Sequence, residues 1–399
     1  MVVTGRGCLS PLGPDRLAFE AALRAGRSAI GPVALPDGPR PLTLRVAARV
    51  SGFEAAEHFE ARRLPLLDEF SRFALVAARE AVAEAGLEKG ELRGAAVVIG
   101  TGAGGQAGID AMLHRAYVQG RRIDPLSVPR VMGSAPVSQI AAELGARGPA
   151  FGVTSACASS AHALGIALLL LRSGAAQVAL AGGSDACFSY GHLQAWEALR
   201  VMAPDTCRPF SRDRRGMVLG EGAGAFVLET LDHARGRGAA PLGELAGFGQ
   251  SSDAGDPVHP DPEGMAAAIA GALRDAAMAP DEVDYVNAHG TGTTSNDAAE
   301  TRALQRALGP RLRRVSVSST KSLHGHALGA SGALELVATL FALREGVIPP
   351  TANWLGPDPE CDLDVTPNIA RERPVAAALS SSFAFGGLNA VLALRRLEA

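Results

Sequence analysis

The chain has 399 residues, 47% hydrophobic and 20% charged, with a formal net charge of −3. That is enough to bury one large core or two fused half-size units, and the near-neutral balance excludes a general nucleic-acid or membrane-surface binder. The longest apolar run, Ala163 to Leu171, falls far short of the roughly 18 residues of a membrane span, and the opening "MVVTGRGCLSPLG" is unlike a secretory signal.

In chain order, short runs of β-type alternate with Ala/Leu-rich helical stretches. "MVVTG" opens as a strand, residues 72–85 as a helix, and "AAVVIGTG" and "AFGVTS" as strands. Residues 161–172 follow as a helix, then "QVALAGG" and "GAFVLE" as strands, residues 265–277 as a helix, and "DYVNAHG" and "VSVSSTK" as strands. A helix over 334–344 and a strand "AAALSSS" complete the series. This alternation predicts an α/β fold with largely buried strands. Residues 30–66 and 186–216 are less periodic and read as elaborations of that core. "GVTSACASSAHALGIALLLLRSG" and "ALSSSFAFGGLNAVLALRR" both read as small-polar strand, turn and apolar helix, which sets Cys157 against the Phe383–Phe385 turn. Two similar halves, 1–245 and 246–399, are expected from this echo.

Cys157 follows a β-type segment and precedes a helical one, where unpaired N–H groups and the helix dipole favour a thiolate. The alternative is an inert, packed cysteine. Cys8, Cys187, Cys207 and Cys361 are scattered, with no CxxC pair, so neither a zinc site nor a disulfide framework is indicated and a reduced, cytoplasmic protein is expected. Gly100, Gly102 and Gly105 fit GxGxxG, but no acidic residue closes a following strand, so tight packing is the better reading than nucleotide binding. His289 ends a strand-like run before a Gly/Thr turn. "SSTKSLHGHALGASGALE" supplies Lys321, His324 and His326, and among 38 basic residues only Lys89 and Lys321 are lysine. HxH alone does not specify a metal site. A thiol nucleophile, two histidines on separate strand ends and one lysine together suit acyl transfer to a thiol.

With these residues in place the chain resembles a β-ketoacyl-acyl carrier protein synthase of the elongating branch, over nearly its whole length. "VVTGRGCLSPLG", "SACASSAHALG", "RPFSRDRRGMVLGEGAG", "YVNAHGTGT", "SSTKSLHGHALGASG" and "SSFAFGGLN" follow the family's order. The resemblance implies a thiolase-type fold, two duplicated halves layered α-β-α-β-α. It implies an acyl carrier protein as partner, a homodimer or a heterodimer with a related subunit, and no metal or redox cofactor. It assigns Cys157 as the acyl-accepting nucleophile, and His289 and His326 as the pair that promotes malonyl decarboxylation and condensation. Lys321 would be the active-site lysine with Glu300 as its charge partner. Phe385 would be the gating phenylalanine, its N–H joining that of Cys157 in an oxyanion hole. Thr291 and Thr293 would contact the phosphopantetheine arm, and Trp196, Ala103 and Phe383 would line the acyl path.

The chain also departs from the family pattern. Ala384 and Leu388 stand where the gate usually has glycine and threonine, and Ala384 would stiffen the gate if its position required φ > 0. His324 stands where threonine is common, Trp196 where phenylalanine is common, and Ala103 where a larger aliphatic residue is common. The last two leave open a flat slot for unsaturated or polyene acyl chains, or a shortened pocket for saturated ones. Whether the pathway is fatty-acid or polyketide synthesis stays open too. A non-catalytic chain-length partner would lack Cys157, and a thiolase would need a second reactive cysteine.

Overall fold

A computed structural model describes residues 1–397. Its main sheet has ten strands. They are β1 (Val2–Leu9), β2 (Ala96–Gly100), β3 (Ala150–Val153), β4 (Val178–Asp185), β5 (Gly222–Glu229), β6 (Gly243–Ser252), β7 (Tyr285–Asn287), β8 (Ser316–Ser318), β9 (Ala377–Ala384) and β10 (Leu388–Arg395). Every residue of β1, β2, β4, β5 and β9 is buried. Strands covered on both faces need no polar side, so they read as continuous apolar or small runs rather than alternating ones.

The strand order is β3-β2-β4-β5-β1-β6-β10-β9-β7-β8. Outward from the centre, β1-β5-β4-β2-β3 is matched by β6-β10-β9-β7-β8, with the same alternation of antiparallel and parallel pairs. The halves join at the Val2–Glu244 and Val3–Gly243 pairs of β1 and β6. A boundary at 245/246 therefore cuts β6; the seam lies between the end of β5 at Glu229 and the start of β6 at Gly243.

Six helices complete the layers. α1 (Glu69–Ala85) and α2 (Ala135–Leu144) cover the outer face of the first half, and α4 (Pro262–Asp275) and α5 (Thr294–Leu308) that of the second. Between the halves lie α3 (Ser159–Arg172) and α6 (Ser331–Glu345), which touch strands of both. All residues of α6 from Ser331 to Leu343 are buried, as expected of a helix with no polar face. The result is the α-β-α-β-α arrangement expected of a thiolase-type fold.

Two readings of the sequence are corrected. Residues 388–395 form β10, a strand paired with β9 and β6, although "LNAVLALRR" reads as a helix. Leucine and alanine favour helices, and a strand buried on both faces shows no period to oppose them. The internal repeat also has a different register. β3 and α3 correspond to β8 and α6, so the Ala156–Ala158 3₁₀ turn is matched by Leu328–Ala330, not by the Phe383–Phe385 turn. In both turns the first residue has a left-handed backbone, with φ 48° at Ala156 and 49° at Leu328.

The sheet meets the central helices closely at Gly100, where a Cβ would lie 2.3 Å from the carbonyl carbon of Ser159. Gly100→Ala must push β2 off the start of α3, and we expect a loss of about 1–3 kcal/mol in urea unfolding, typical of overpacking. An unchanged midpoint would show that this contact does not constrain the helix start.

Candidate active site

Four turns at strand ends converge on one cleft of about 680 Å³ including its mouth, lined by Cys157, His289, Thr291, Thr293, His326, Phe383 and Phe385 among others. Cys157 stands in the turn between β3 and α3, buried at the cleft floor. His289 follows β7 and leads into a Gly/Thr turn; Thr293 caps α5, its Oγ1 accepting the Asn296 N–H at 3.3 Å. His326 lies between the short helix Lys321–His324 and the 3₁₀ turn before α6. Phe385 sits in the turn between β9 and β10.

α3 and α6 bring these turns together by meeting at their first residues. The Ala333 N–H donates to Ser160 Oγ at 2.9 Å, and Gly332 leaves no room there for a side chain, with Ser160 Oγ 3.1 Å from where a Cβ would be. The Cys157 sulfur and one ring nitrogen of each of His289 and His326 consequently lie within 4.8 Å of one another. The two imidazoles are edge to face, with centroids 5.5 Å apart.

The partners of each imidazole fix its tautomer. His289 Nδ1 faces Lys321 Nζ at 3.2 Å, and an ammonium can only donate. His326 Nδ1 accepts the Leu328 N–H at 3.0 Å, with Ser331 Oγ at 2.9 Å. Both Nδ1 atoms are acceptors, so both protons sit on Nε2. Burial, reinforced by the Lys321 charge, holds both imidazoles well below the usual histidine range, so they are neutral. Toward the cleft the pair therefore offers two N–H donors.

Burial also governs the thiol. It pushes Cys157 up to about 11, against the opposing pull of Lys321 and of a hydrogen bond from the Phe385 backbone N–H. The helix start was expected to favour a thiolate, and desolvation outweighs it. At pH 7 the group is therefore held almost wholly as the thiol.

The expected Lys321–Glu300 pair is not formed. Lys321 and Glu335 are a fully buried ion pair, with Glu335 reaching in from α6. Lys321 uses its remaining donor capacity on the His289 carbonyl at 2.6 Å and on His289 Nδ1. Glu300 lies on α5, which runs behind the His289 turn, and clamps that turn's backbone instead. It accepts the N–H groups of His289 at 2.8 Å and Gly290 at 2.7 Å. Burial raises Glu300 to about 7.

The other singled-out residues divide into two places. The Thr291 and Thr293 hydroxyls lie 2.9 Å apart on the cleft wall, and Phe383 packs edge-on to His289. Trp196 and Ala103 belong to a separate apolar cluster behind Phe385, with Leu193, Met217 and Leu219. His324 is outside the cleft. Its ring bonds the Gly325 carbonyl at 2.8 Å and Thr320 Oγ1 at 3.0 Å, and burial lowers it to about 3. Ala384 ends β9 in an ordinary pair with Leu388; the left-handed residues of the gate turn are Gly386 and Gly387. The N–H groups of Gly102 and Ala103 are committed to Asp185, at 2.8 and 2.9 Å, which bears out packing over nucleotide binding for the glycine pattern.

Sequence reading missed Asp185 and Glu335. Glu335 carried a usable signal, being the one charged residue in the apolar stretch 331–343. Asp185 ends a strand with nothing beside it in sequence to distinguish it.

Two outcomes are expected. Alkylation of Cys157 by iodoacetamide, followed by intact mass, should rise about tenfold per pH unit from pH 7 to 9, because the charged form of this thiol is the disfavoured one. A plateau below pH 9 would contradict a thiol held at about 11. In a double-mutant cycle, Lys321→Met should cost about 3–5 kcal/mol by stranding a buried carboxylate, and Glu335→Leu should recover much of that loss. Recovery by Glu300→Leu instead would restore the pairing rejected above.

Comparison with known proteins agrees with this geometry. Residues 1–234 match the β-ketoacyl synthase N-terminal domain and residues 242–354 its C-terminal domain. A nodulation protein E of Rhizobium sp. (strain N33) is 50% identical over all of this chain and 99% of its own length. A 3-oxoacyl-[acyl-carrier-protein] synthase 2 of Synechocystis sp. (strain ATCC 27184 / PCC 6803 / Kazusa) is 38% identical over 100% of this chain and 98% of its own. Among solved structures, the ishigamide ketosynthase/chain length factor aligns with TM-score 0.94 at 36% identity, covering 100% of this chain and 99% of that one. The type II polyketide ketosynthase AntDE, bound to its acyl-carrier protein AntF, aligns with TM-score 0.92 at 31% identity, covering 99% of both chains. On its sequence, its fold and the convergence of these turns, the chain belongs to the β-ketoacyl synthase family.

Proposed function

We propose that Cys157 carries the acyl group in the family's decarboxylative Claisen condensation, that His289 and His326 stabilise the enolate, and that an acyl carrier protein delivers both substrates. The observation that supports this most is the thiol facing two neutral imidazoles whose outward nitrogens both bear protons.

In the first half-reaction the Cys157 sulfur adds to the carrier thioester. The departing phosphopantetheine sulfur takes up the proton that Cys157 gives away, so one thiol replaces another and no strong base is required. The N–H groups of Cys157 and Phe385 would hold the tetrahedral oxygen. In the second, the bond from the malonyl α-carbon to its carboxylate breaks. Carbon dioxide leaves, and the electron pair becomes an enolate whose oxygen accepts from both Nε2–H groups. The enolate carbon attacks the Cys157 thioester, the C–S bond breaks, and the sulfur takes up one proton from solvent. The product is a 3-oxoacyl carrier protein. Each turnover takes one proton from solvent and leaves no net oxidation or reduction, so the scheme calls for no metal or redox cofactor.

Around this centre, Lys321 would hold the His289 tautomer and Glu300 the His289–Gly290 backbone. Thr291 and Thr293 would receive the phosphopantetheine arm, and Phe383, Trp196 and Ala103 would border the acyl path. The ketosynthase solved with its carrier supports a carrier partner. The ketosynthase/chain length factor supports a paired subunit, either a second copy of this chain or a non-catalytic relative, in fatty-acid or polyketide synthesis.

Cys157→Ala should abolish the acyl adduct seen by intact mass after incubation with acyl carriers. His289→Ala and His326→Ala should each slow malonyl decarboxylation by about 10²–10³ if each removes one donor, with His324→Ala costing far less. An adduct on Cys8, Cys187, Cys207 or Cys361, or a greater loss in His324→Ala, would overturn the assignment.

A further inference from the structure

Phe385 stands between a cleft and a packed apolar cluster. The cleft lies above Cys157; the cluster is the one around Leu193 and Trp196. Val201 and Met217 belong to both, and Phe385 lines the cleft while its ring meets the cluster at Trp196. That ring is stacked on the Trp196 indole, with centroids 6.2 Å apart and planes 28° from parallel.

Trp196 is itself tied down. Its indole N–H donates to His192 Nε2 at 2.8 Å, one turn earlier on the helix Tyr190–Ala198. The indole nitrogen can only donate, so His192 Nε2 is the bare nitrogen and Nδ1 carries the proton. The helix start is anchored too. The Gly191 N–H donates to Asp110 Oδ2 at 2.9 Å, and the other Asp110 oxygen accepts from Gln106 at 3.1 Å. The anchored helix thus fixes His192, which fixes the indole against which Phe385 rests.

We propose that His192 is a positioning residue for acyl-chain selection: by fixing the Trp196 indole it holds the Phe385 ring between the cleft and the cluster, so that only chains long enough to occupy the apolar cluster displace it. A chain ending short of Phe385 does not meet the lock. A longer one must break the stack, and its gain from burying methylenes beyond the ring has to exceed that loss. The proposal rests on Cys157 as the acyl-bearing thiol, and it assigns to His192 an effect on chain length rather than on bond making.

Two measurements test it. The chain has two tryptophans, so in a Trp354→Phe background the emission belongs to Trp196. Alkylating Cys157 with iodoacetamide should leave that emission unchanged, and N-dodecyl iodoacetamide should shift it. The second compares Cys157 acylation by dodecanoyl and acetyl carriers. His192→Leu should raise the dodecanoyl-to-acetyl rate ratio about fivefold, equivalent to one hydrogen bond of about 1 kcal/mol, and His192→Gln, which keeps an acceptor, should restore the native ratio. An unaltered ratio in His192→Leu, or the same emission with both labels, would overturn the lock. If no carrier acylates Cys157, the reaction assignment fails, while the emission comparison needs only the thiol and still decides the lock.

Discussion

The carboxylate of Asp185, fully buried at the end of β4, ties together segments that lie far apart in the chain. Oδ1 accepts the Thr101 hydroxyl at 2.7 Å and the Ala103 N–H at 2.9 Å; Oδ2 accepts the Gly102 N–H at 2.8 Å and the Gly329 N–H at 2.6 Å. Three of these donors come from the loop after β2, and the fourth from the turn that starts α6 in the other half. Burial raises the carboxyl to about 6 even so, which shows how much of their pull is offset by desolvation. Hydrogen bonds to a charged acceptor contribute about 1.5–3 kcal/mol each, and burying the charge costs several kcal/mol. The cluster's value is therefore geometric. Gly329 occupies in the second half the place of Cys157 in the first, so fixing it fixes the turn that presents His326 to the thiol.

The same dryness determines what the site can do. In water Cys157 would ionise more readily and the histidines would titrate near neutrality. Here the thiol keeps its proton and both imidazoles stay neutral. A neutral imidazole with a blocked Nδ1 is a poor base toward the cleft and a good Nε2–H donor. That suits charge developing on an enolate oxygen and does not suit activation of water. Lys321 supports this state twice over, by occupying His289 Nδ1 and by placing a positive charge nearby; Glu335 makes that charge tolerable inside the protein.

Much of this was legible in the sequence, for identifiable reasons. Cys157 stood out because a lone thiol among small residues precedes an apolar helix, and His289 and His326 because each follows a strand end rich in glycine. The Lys321 partner was not legible, because the resemblance pairs it with Glu300, whereas α6 folds Glu335 back onto it. β10 was hidden by residues that favour helices in a strand buried on both faces. The repeat was visible but read in the wrong register. "ACASSA" at 156–161 aligns with "LGASGA" at 328–333, and only the strand order shows that these two turns, rather than the gate, are the matched pair. The protonation state of Cys157 could not be read at all, since it depends on burial supplied by both halves.

Phe385 joins the cleft to the apolar cluster, because its backbone and its ring face different things. The backbone N–H reaches the Cys157 sulfur, and the ring lies on Trp196. The turn that carries them is pinned on both sides. The Gly386 N–H donates to the Pro257 carbonyl at 2.7 Å, and the Asp253 N–H donates to the Gly387 carbonyl at 2.9 Å. Asn389 then donates to the Asp253 side chain at 2.6 Å, closing the set from β10. Ala384 is held in the β9–β10 ladder with no demand for φ > 0, so its replacement of glycine does not strain the turn. The position of the N–H is thus set by the backbone's own hydrogen bonds, independently of the contact that the ring makes with Trp196.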